Sequence, residues 1–191
     1  MMGRTHLMIG VAGSIDLAIL THTPIGFAGI ATAAVCSILP DIDEPNSMIS
    51  HRTGGKIGIT VIAAAAAVFG FLGGYIPLGV FAILLGIAPH LRHRKFTHTV
   101  FAAAIIWLFL AWLGAKTGVG DLALFGTSAY VLHILADVIT NTGVPVLYPL
   151  IKKKLSFHVT NTGDGPEYFI ALIPIVILIL VAFTNQHLFA I

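Results

Sequence analysis

Charged side chains are scarce in this sequence, and so is cysteine. Charged residues make up 9% of the 191 residues, hydrophobic residues make up 57%, and the mean hydropathy is +0.97. A soluble globular chain of this size does not reach such values, so the bilayer is expected to be the solvent. The lone Cys36 excludes an intramolecular disulfide. Because no polar linker divides the apolar segments, residues 1–191 are predicted to form a single integral membrane domain.

The apolar runs predict an all-α membrane helix bundle of about seven helical segments. Proline and glycine residues, which end or kink helices, separate the runs. The second and fourth segments are shorter than the roughly 17–25 residues of a full span. Each is therefore expected to be tilted, to extend past the boundaries given below, or to be re-entrant. The segments are Thr5–Thr21, Ile25–Leu39, Ile57–Gly73, Ile76–Ala88, Thr99–Ala115, Leu122–Thr140 and Tyr168–Thr184.

The few basic residues are distributed unevenly among the predicted loops. Alternating the segments across a bilayer places nine basic residues on one side and only Lys116 on the other. Cytoplasmic loops carry the excess of Lys and Arg, so a plasma or inner membrane protein with a cytoplasmic N-terminus and an external C-terminus is predicted. Residues 152–154 are interpreted as an orientation signal or a contact with anionic lipid. The nine are Arg4, Arg52, Lys56, Arg92, Arg94, Lys95, Lys152, Lys153 and Lys154.

Histidine and aspartate residues concentrate at the same predicted face. Seven of the nine histidines lie in its loops or near its helix ends, whereas His22 and His187 fall on the opposite side. Asp41, Asp43 and Asp137 join the seven. Anchoring a helix bundle needs no such convergence, but His and Asp are ordinary donors for zinc, manganese or iron. The seven are His6, His51, His90, His93, His98, His133 and His158.

His133 and Asp137 form the sharpest local signal. A spacing of four places the imidazole and the carboxylate on one helix face, close enough to share a metal. An ionisable pair inside an apolar helix is costly unless it is engaged, so it indicates a functional site. The structural alternative is a His–Asp hydrogen bond that only holds two helices together. Asp16 lies about 15 Å deeper than His6 along the first helix and is expected to pair elsewhere.

Two loops supply further candidate ligands. Asp41 and Asp43 follow the second segment, and their spacing lets both carboxylates face one ion, although a solvated acidic loop is the alternative. Residues 93–98, His-Arg-Lys-Phe-Thr-His, open the fifth segment. Their imidazoles suit a metal and their cationic groups suit a phosphate. The alternative there is a basic membrane anchor with incidental histidines.

Six groups of residues carry a resemblance to a known family. They are Gly3-Arg4-Thr5-His6, Leu39-Pro40-Asp41-Ile42-Asp43, His51-Arg52, His93-Arg94, Thr97-His98, and His133 with Asp137, Thr140 and Gly143. In order and spacing they resemble the YdjM-like family of membrane-bound, predicted metal-dependent hydrolases over most of the chain. That family is distantly similar to the all-helical superfamily of zinc-dependent phospholipase C and single-strand nucleases. The resemblance implies phosphoester hydrolysis.

The same resemblance implies a partial set of ligands. By position, Asp41 or Asp43 matches the loop carboxylate of those soluble enzymes, and His133 with Asp137 matches their helical His-x-x-x-Asp pair. They also use a later His-x-x-x-Glu pair and the N-terminal amino group. This sequence has no His-x-x-x-Glu, and Met1-Met2 precede its first motif. One or two metals are therefore expected here.

The resulting hypothesis is a metal-dependent hydrolase that cleaves a phosphoester, such as a lipid headgroup or a related amphipathic substrate, at the cytoplasmic membrane face. A divalent metal, first of all zinc but also manganese or iron, would activate water and polarise the phosphoryl oxygen. The predicted metal ligands are His6, Asp41, Asp43, His98, His133 and Asp137. The predicted catalytic residues are Asp41, Asp43, Arg94 and His98. The predicted substrate-binding residues are Arg52, Arg92, Arg94, Thr97 and Thr140.

Two other function classes stay open at this point. A His-x-x-x-Asp pair in a membrane helix also suits a metal-ion transporter, although transport sites usually lie near the bilayer midplane. A non-catalytic membrane scaffold with a metal clip would carry the same ligands. Nucleic-acid binding is not expected, because the basic residues lie in short membrane-bounded loops without a recognition module.

Overall fold

The protein is an all-α bundle, as the apolar segments predicted. The computed structural model describes residues 1–184, so the predicted outer position of His187 lies outside the described residues. Eight α-helices and three short 3₁₀ turns, but no β-strand, are present in this range. The helices are α1 (Gly3–Leu20), α2 (Phe27–Cys36), α3 (Met48–Thr53), α4 (Gly55–Leu72), α5 (Ile76–Ile87), α6 (Val100–Thr117), α7 (Leu122–Ile139) and α8 (Gly165–Thr184). The turns are Leu39–Asp43, Ala88–His90 and Phe96–His98.

Helix α3 is the one α-helix among the described residues that the apolar runs did not predict. It lies in the loop between the second and third predicted segments. The hydroxyl of Ser47 caps it by accepting a hydrogen bond from the backbone N–H of Ser50 at 3.2 Å. It ends at Gly54, whose φ of 83° is the left-handed conformation that glycine adopts without strain. Six residues are too few to show an apolar helical period, so only its caps mark it in the sequence.

Helix α7 is the centre of the bundle and packs against α1, α2 and α6. Small residues allow this close approach. A Cβ atom added at Gly126 of α7 would lie 2.2 Å from Leu110 Cδ1 of α6 and 3.1 Å from Cys36 Sγ of α2. Helix α8 packs on α1, while α4 and α5 form a hairpin at the edge of the bundle. The packing of α7 therefore fixes the positions of the helices that end around the candidate site.

Three helices, α4, α6 and α7, are long and apolar enough to cross a membrane, whereas α2 and α5 are shorter apolar helices. The outer face of α4 exposes large apolar side chains, which lipid covers without an energetic cost. These side chains are Ile57, Val61, Ile62, Val68, Phe69 and Leu72. The surface is therefore that of a membrane protein.

Candidate metal centre

Two residues of α7 and one of α1 form the buried floor of the site. His133 and Asp137 lie one turn apart near the end of α7, and both are fully buried. The Nε2 atom of His133 is 3.9 Å from Asp137 Oδ2. The ring of His6 stacks on that of His133 with a centroid separation of 3.6 Å, and His6 Nε2 lies 3.3 Å from Asp137 Oδ1. The start of α1 and the end of α7 therefore meet at these three side chains.

Two 3₁₀ turns add a carboxylate and a third imidazole. His98, in the turn before α6, has its Nε2 atom 3.3 Å from Asp137 Oδ2 and 3.4 Å from Asp41 Oδ1. Asp41 Oδ1, in the turn after α2, is 3.6 Å from His133 Nε2. Ligands bound at about 2.0–2.2 Å to a tetrahedral metal lie about 3.3–3.6 Å apart, so these separations match one coordination sphere. One donor atom from each of Asp41, His98, His133 and Asp137 lies within 4.8 Å of all the others.

Unpaired buried atoms converge on this point. His6 Nε2, His98 Nε2, His133 Nε2 and Asp137 Oδ2 are buried and have no hydrogen-bond partner within the protein. Each such atom costs about 1–3 kcal/mol when it is left unsatisfied. A cation held by Asp41, His98, His133 and Asp137 would satisfy the last three of these atoms, while His6 Nε2 faces the other oxygen of Asp137. This donor set of imidazole nitrogens and carboxylate oxygens therefore fits a transition metal.

Hydrogen bonds at the far side of two rings prepare them as ligands. His133 Nδ1 lies 2.7 Å from the carbonyl oxygen of Ser37, which can only accept, so this nitrogen donates and Nε2 keeps its lone pair. His98 Nδ1 lies 3.0 Å from Thr97 Oγ1, and Thr97 donates its own proton to Asp43 Oδ2 at 2.9 Å. Histidines that bind metals in proteins almost always donate their second ring N–H in this way.

Asp43 thus lies behind the cluster instead of within it. Its second oxygen accepts a hydrogen bond from His93 Nδ1 at 2.8 Å, so both of its oxygens are occupied. The side chain is almost completely buried. The sequence left open whether Asp41, Asp43 or both would be ligands. The structure places Asp41 at the cluster and assigns Asp43 to holding Thr97 and His93.

The cluster has the electrostatics of a cation site. Burial by itself would lower the pKa of His98, but the adjacent Asp137 and Asp41 raise it to about 9. This imidazole would therefore be protonated at neutral pH unless a metal ion replaces its proton. Burial would raise the pKa of Asp41, yet the neighbouring His133 and His98 hold it well below its ordinary value. The two shifts together favour ionised carboxylates beside a positively charged group at this position.

The predicted phosphate-binding residues are divided between the cluster and the surface. Arg94 Nε lies 3.8 Å from Asp137 Oδ2, and the Arg94 guanidinium donates to the Thr142 hydroxyl. Thr140 is buried and donates to the backbone carbonyl of Asp137 at 2.7 Å, while Thr97 is the bridge to Asp43. In the described part of the chain, no other arginine lies within 4 Å of a cluster carboxylate. The exposed residues are Arg52, Arg92, His51, His90 and His158.

Two further contacts were not foreseen from the sequence. The amino group of Met1 lies 2.9 Å from Asp137 Oδ1, and both groups are fully buried. Glu167, at the start of α8, is buried and accepts hydrogen bonds from the backbone N–H groups of Met2 and Gly163 at 2.5 and 2.6 Å. Glu167 directly precedes the last predicted segment and has Asp164 three residues before it, so nothing in the sequence signalled that this side chain would be buried. These contacts fix the start of α1 beside the cluster.

Comparison with known proteins identifies the family of the chain. The chain is 27% identical over 183 residues to the inner membrane protein YdjM of Escherichia coli K12, covering 90% of this chain and 78% of that protein. The identity and coverage are the same for inner membrane protein YdjM of Shigella flexneri. No solved structure matches. The profile of the YdjM inner membrane protein family matches residues 1–190, and the chain therefore belongs to that family.

Proposed function

We propose that this protein is a metal-dependent hydrolase that cleaves a phosphoester at the membrane surface. The observation that carries the proposal is the convergence of five ligand-type side chains, four of which turn a buried atom without a hydrogen-bond partner toward the site. Strongly perturbed ionisable groups gathered in one place are typical of catalytic sites. The five are His6, Asp41, His98, His133 and Asp137.

These side chains would hold one or two divalent ions, with zinc first and manganese or iron as alternatives. When bound, such a metal supplies a Lewis acid that activates water and polarises a phosphoryl oxygen. The protein's own contribution is positioning. Ser37 and Thr97 orient the rings of His133 and His98. Arg94, beside Asp137, is placed to hold a phosphate through the paired donors of its guanidinium group.

An amphipathic substrate is supported by a groove between α1, α7 and α8. The groove has a volume of about 990 Å³, and its lining is mostly apolar. Its lining includes Ile9, which lies one turn from His6, and Ala136 and Ile139, which flank Asp137. An acyl chain in this groove would lie beside the ligand cluster. A lipid or lipid-like phosphoester is therefore the substrate class that we propose.

The cytoplasmic orientation belongs to the same proposal. Arg94 lies at the cluster, and residues 152–154 lie in the loop after α7. All of them are among the nine basic residues that the sequence assigns to one face. By the positive-inside rule, this face and the site on it would be cytoplasmic. A transporter is supported less well, because the ligands lie at helix ends and in two turns, not at the midpoint of broken helices.

The experiment is turnover of a panel of phosphoesters by the detergent-purified full chain. We expect turnover that a chelator abolishes and that one added divalent metal restores. Arg94→Ala should lower kcat/KM by about 10²–10³-fold, the usual effect of losing one donor to developing negative charge. Arg4→Ala, which removes an exposed arginine at the same face, is the matched control. Metal flux into proteoliposomes without turnover of any phosphoester would favour the transporter instead.

A further inference from the structure

A polar cavity of about 270 Å³ adjoins the ligand cluster at Arg94. No acidic residue is found among its lining residues, and four of them carry a permanent positive charge. Like charges gathered in one cavity repel one another unless an anion binds between them. The lining residues are His93, Arg94, Lys95, Pro145, Tyr148, Lys152 and Lys154.

Backbone hydrogen bonds build this cavity from two separate parts of the chain. The backbone N–H of Val100, at the start of α6, donates to the carbonyl of Val146 at 3.0 Å. Val144 and Leu155 exchange two backbone hydrogen bonds of 3.1 and 2.9 Å, which closes the loop that contains residues 152–154. These main-chain contacts hold the loop that carries residues 152–154 against the start of α6, and its lysines line the same cavity as residues 93–95.

Side-chain contacts join the cavity to the cluster. Lys95 Nζ lies 5.5 Å from the centroid of the Tyr148 ring, which brings the two walls of the cavity together. Arg94 has a positive φ of 55°, which is uncommon for a residue with a side chain. Its guanidinium contacts Asp137 and Thr142 on the cluster side while Arg94 also lines the cavity. A group bound in the cavity would therefore sit next to the metal ligands.

We propose that this cavity binds a phosphate group with more than one negative charge, carried by the molecule whose phosphoester is cleaved at the cluster. This rests on the proposed function and narrows its substrate class to compounds with a terminal phosphomonoester or a diphosphate. Lys152 and Lys154 are then ligand-binding residues and not only an orientation signal. All three lysines are exposed, but Lys153, which lies between the other two, does not line the cavity.

Lys153 supplies a matched control that has the same charge and loop position. Binding is measured with the as-purified full chain in detergent, using methylenediphosphonate as a soluble probe and phosphatidic acid in mixed micelles as a lipid probe. We expect Lys152→Gln and Lys154→Gln each to weaken binding about fivefold, the weight of one basic residue near an anionic surface. Lys153→Gln should bind as the parent does.

The two probes identify the source of the phosphate. Lysine-dependent binding of methylenediphosphonate alone points to a soluble compound, and such binding of phosphatidic acid alone points to a lipid; either supports the cavity. If Lys153→Gln weakens binding as much as Lys152→Gln and Lys154→Gln do, the lysines attract the anionic probe only through general charge, and the proposal is overturned. Binding of neither probe would also overturn it. If the lysine dependence is found but no phosphoester is turned over, the hydrolase is refuted and the anion site stands.

Discussion

The Nδ1 atom of His133 lies 2.7 Å from the carbonyl oxygen of Ser37, and this contact links α7 to the end of α2. Ser37 follows the last residue of α2 and precedes the turn Leu39–Asp43. The same short segment therefore orients one imidazole through its backbone and presents Asp41 to the cluster. Two candidate ligands from distant parts of the sequence thus depend on one local structure.

Thr97 should act on metal affinity through His98. Thr97→Val removes the hydroxyl that joins the His98 ring to Asp43, so the ring loses its orientation and metal affinity should fall by about 10–100-fold. Thr97→Ser keeps the hydroxyl and should restore most of the affinity. Affinity is measured by competition with a chromophoric zinc chelator, with Thr117→Val at an exposed helix end as the control. A Thr97→Val variant with unchanged affinity would show that the bridge has no role.

Gly126 should be essential for packing. Its Cβ position lies 2.2 Å from Leu110 Cδ1 and 2.9 Å from Thr32 Cγ2, so Gly126→Ala forces these side chains, or the helices that carry them, to move. Overpacking of this kind costs about 1–3 kcal/mol, which should lower the Tm of the detergent-purified protein. Gly120→Ala is the control, because nothing lies within 4 Å of its Cβ position. If both variants have the Tm of the parent, α7 is not closely packed against α6 and α2 at Gly126.

The orientation of the protein can be tested by cysteine labelling in intact cells. In a Cys36→Ala background, a membrane-impermeant thiol reagent should label Thr117→Cys, which is exposed at the end of α6, but not Asn46→Cys in the loop before α3. The reason is the excess of basic residues on the side of Asn46. Labelling of both positions after the cells are opened is the control. The reverse pattern in intact cells would place the site outside the cytoplasm.

The fold was largely readable from the sequence, because long apolar runs between Gly and Pro residues leave few choices in a bilayer. The site could be predicted from the sequence where the spacing of two residues fixes their relative positions on a helix, as for His133 and Asp137. The different roles of Asp41 and Asp43 could not be predicted from the sequence, since they depend on which carboxylate faces His93 and Thr97. Nor does any sequence pattern show that the carbonyl of Ser37 orients His133, because every residue has such a group.

Asp137 contacts more of the cluster than any other side chain described, with His6, His98, His133 and Arg94 all within 4 Å. Asp137→Asn keeps its shape and removes the anion, so metal affinity should fall by at least about 10–100-fold, while the uncharged amide stays easy to bury. Asp121→Asn makes the same change before the first residue of α7, away from the site.

The most direct test of the metal centre is therefore the metal content of three detergent-purified proteins: the parent, Asp137→Asn and Asp121→Asn. The account predicts a stoichiometric transition metal in the parent and in Asp121→Asn, and its loss from an otherwise folded Asp137→Asn. Equal metal content in the parent and Asp137→Asn, or no bound metal in a parent purified with the metal supplied, would contradict it.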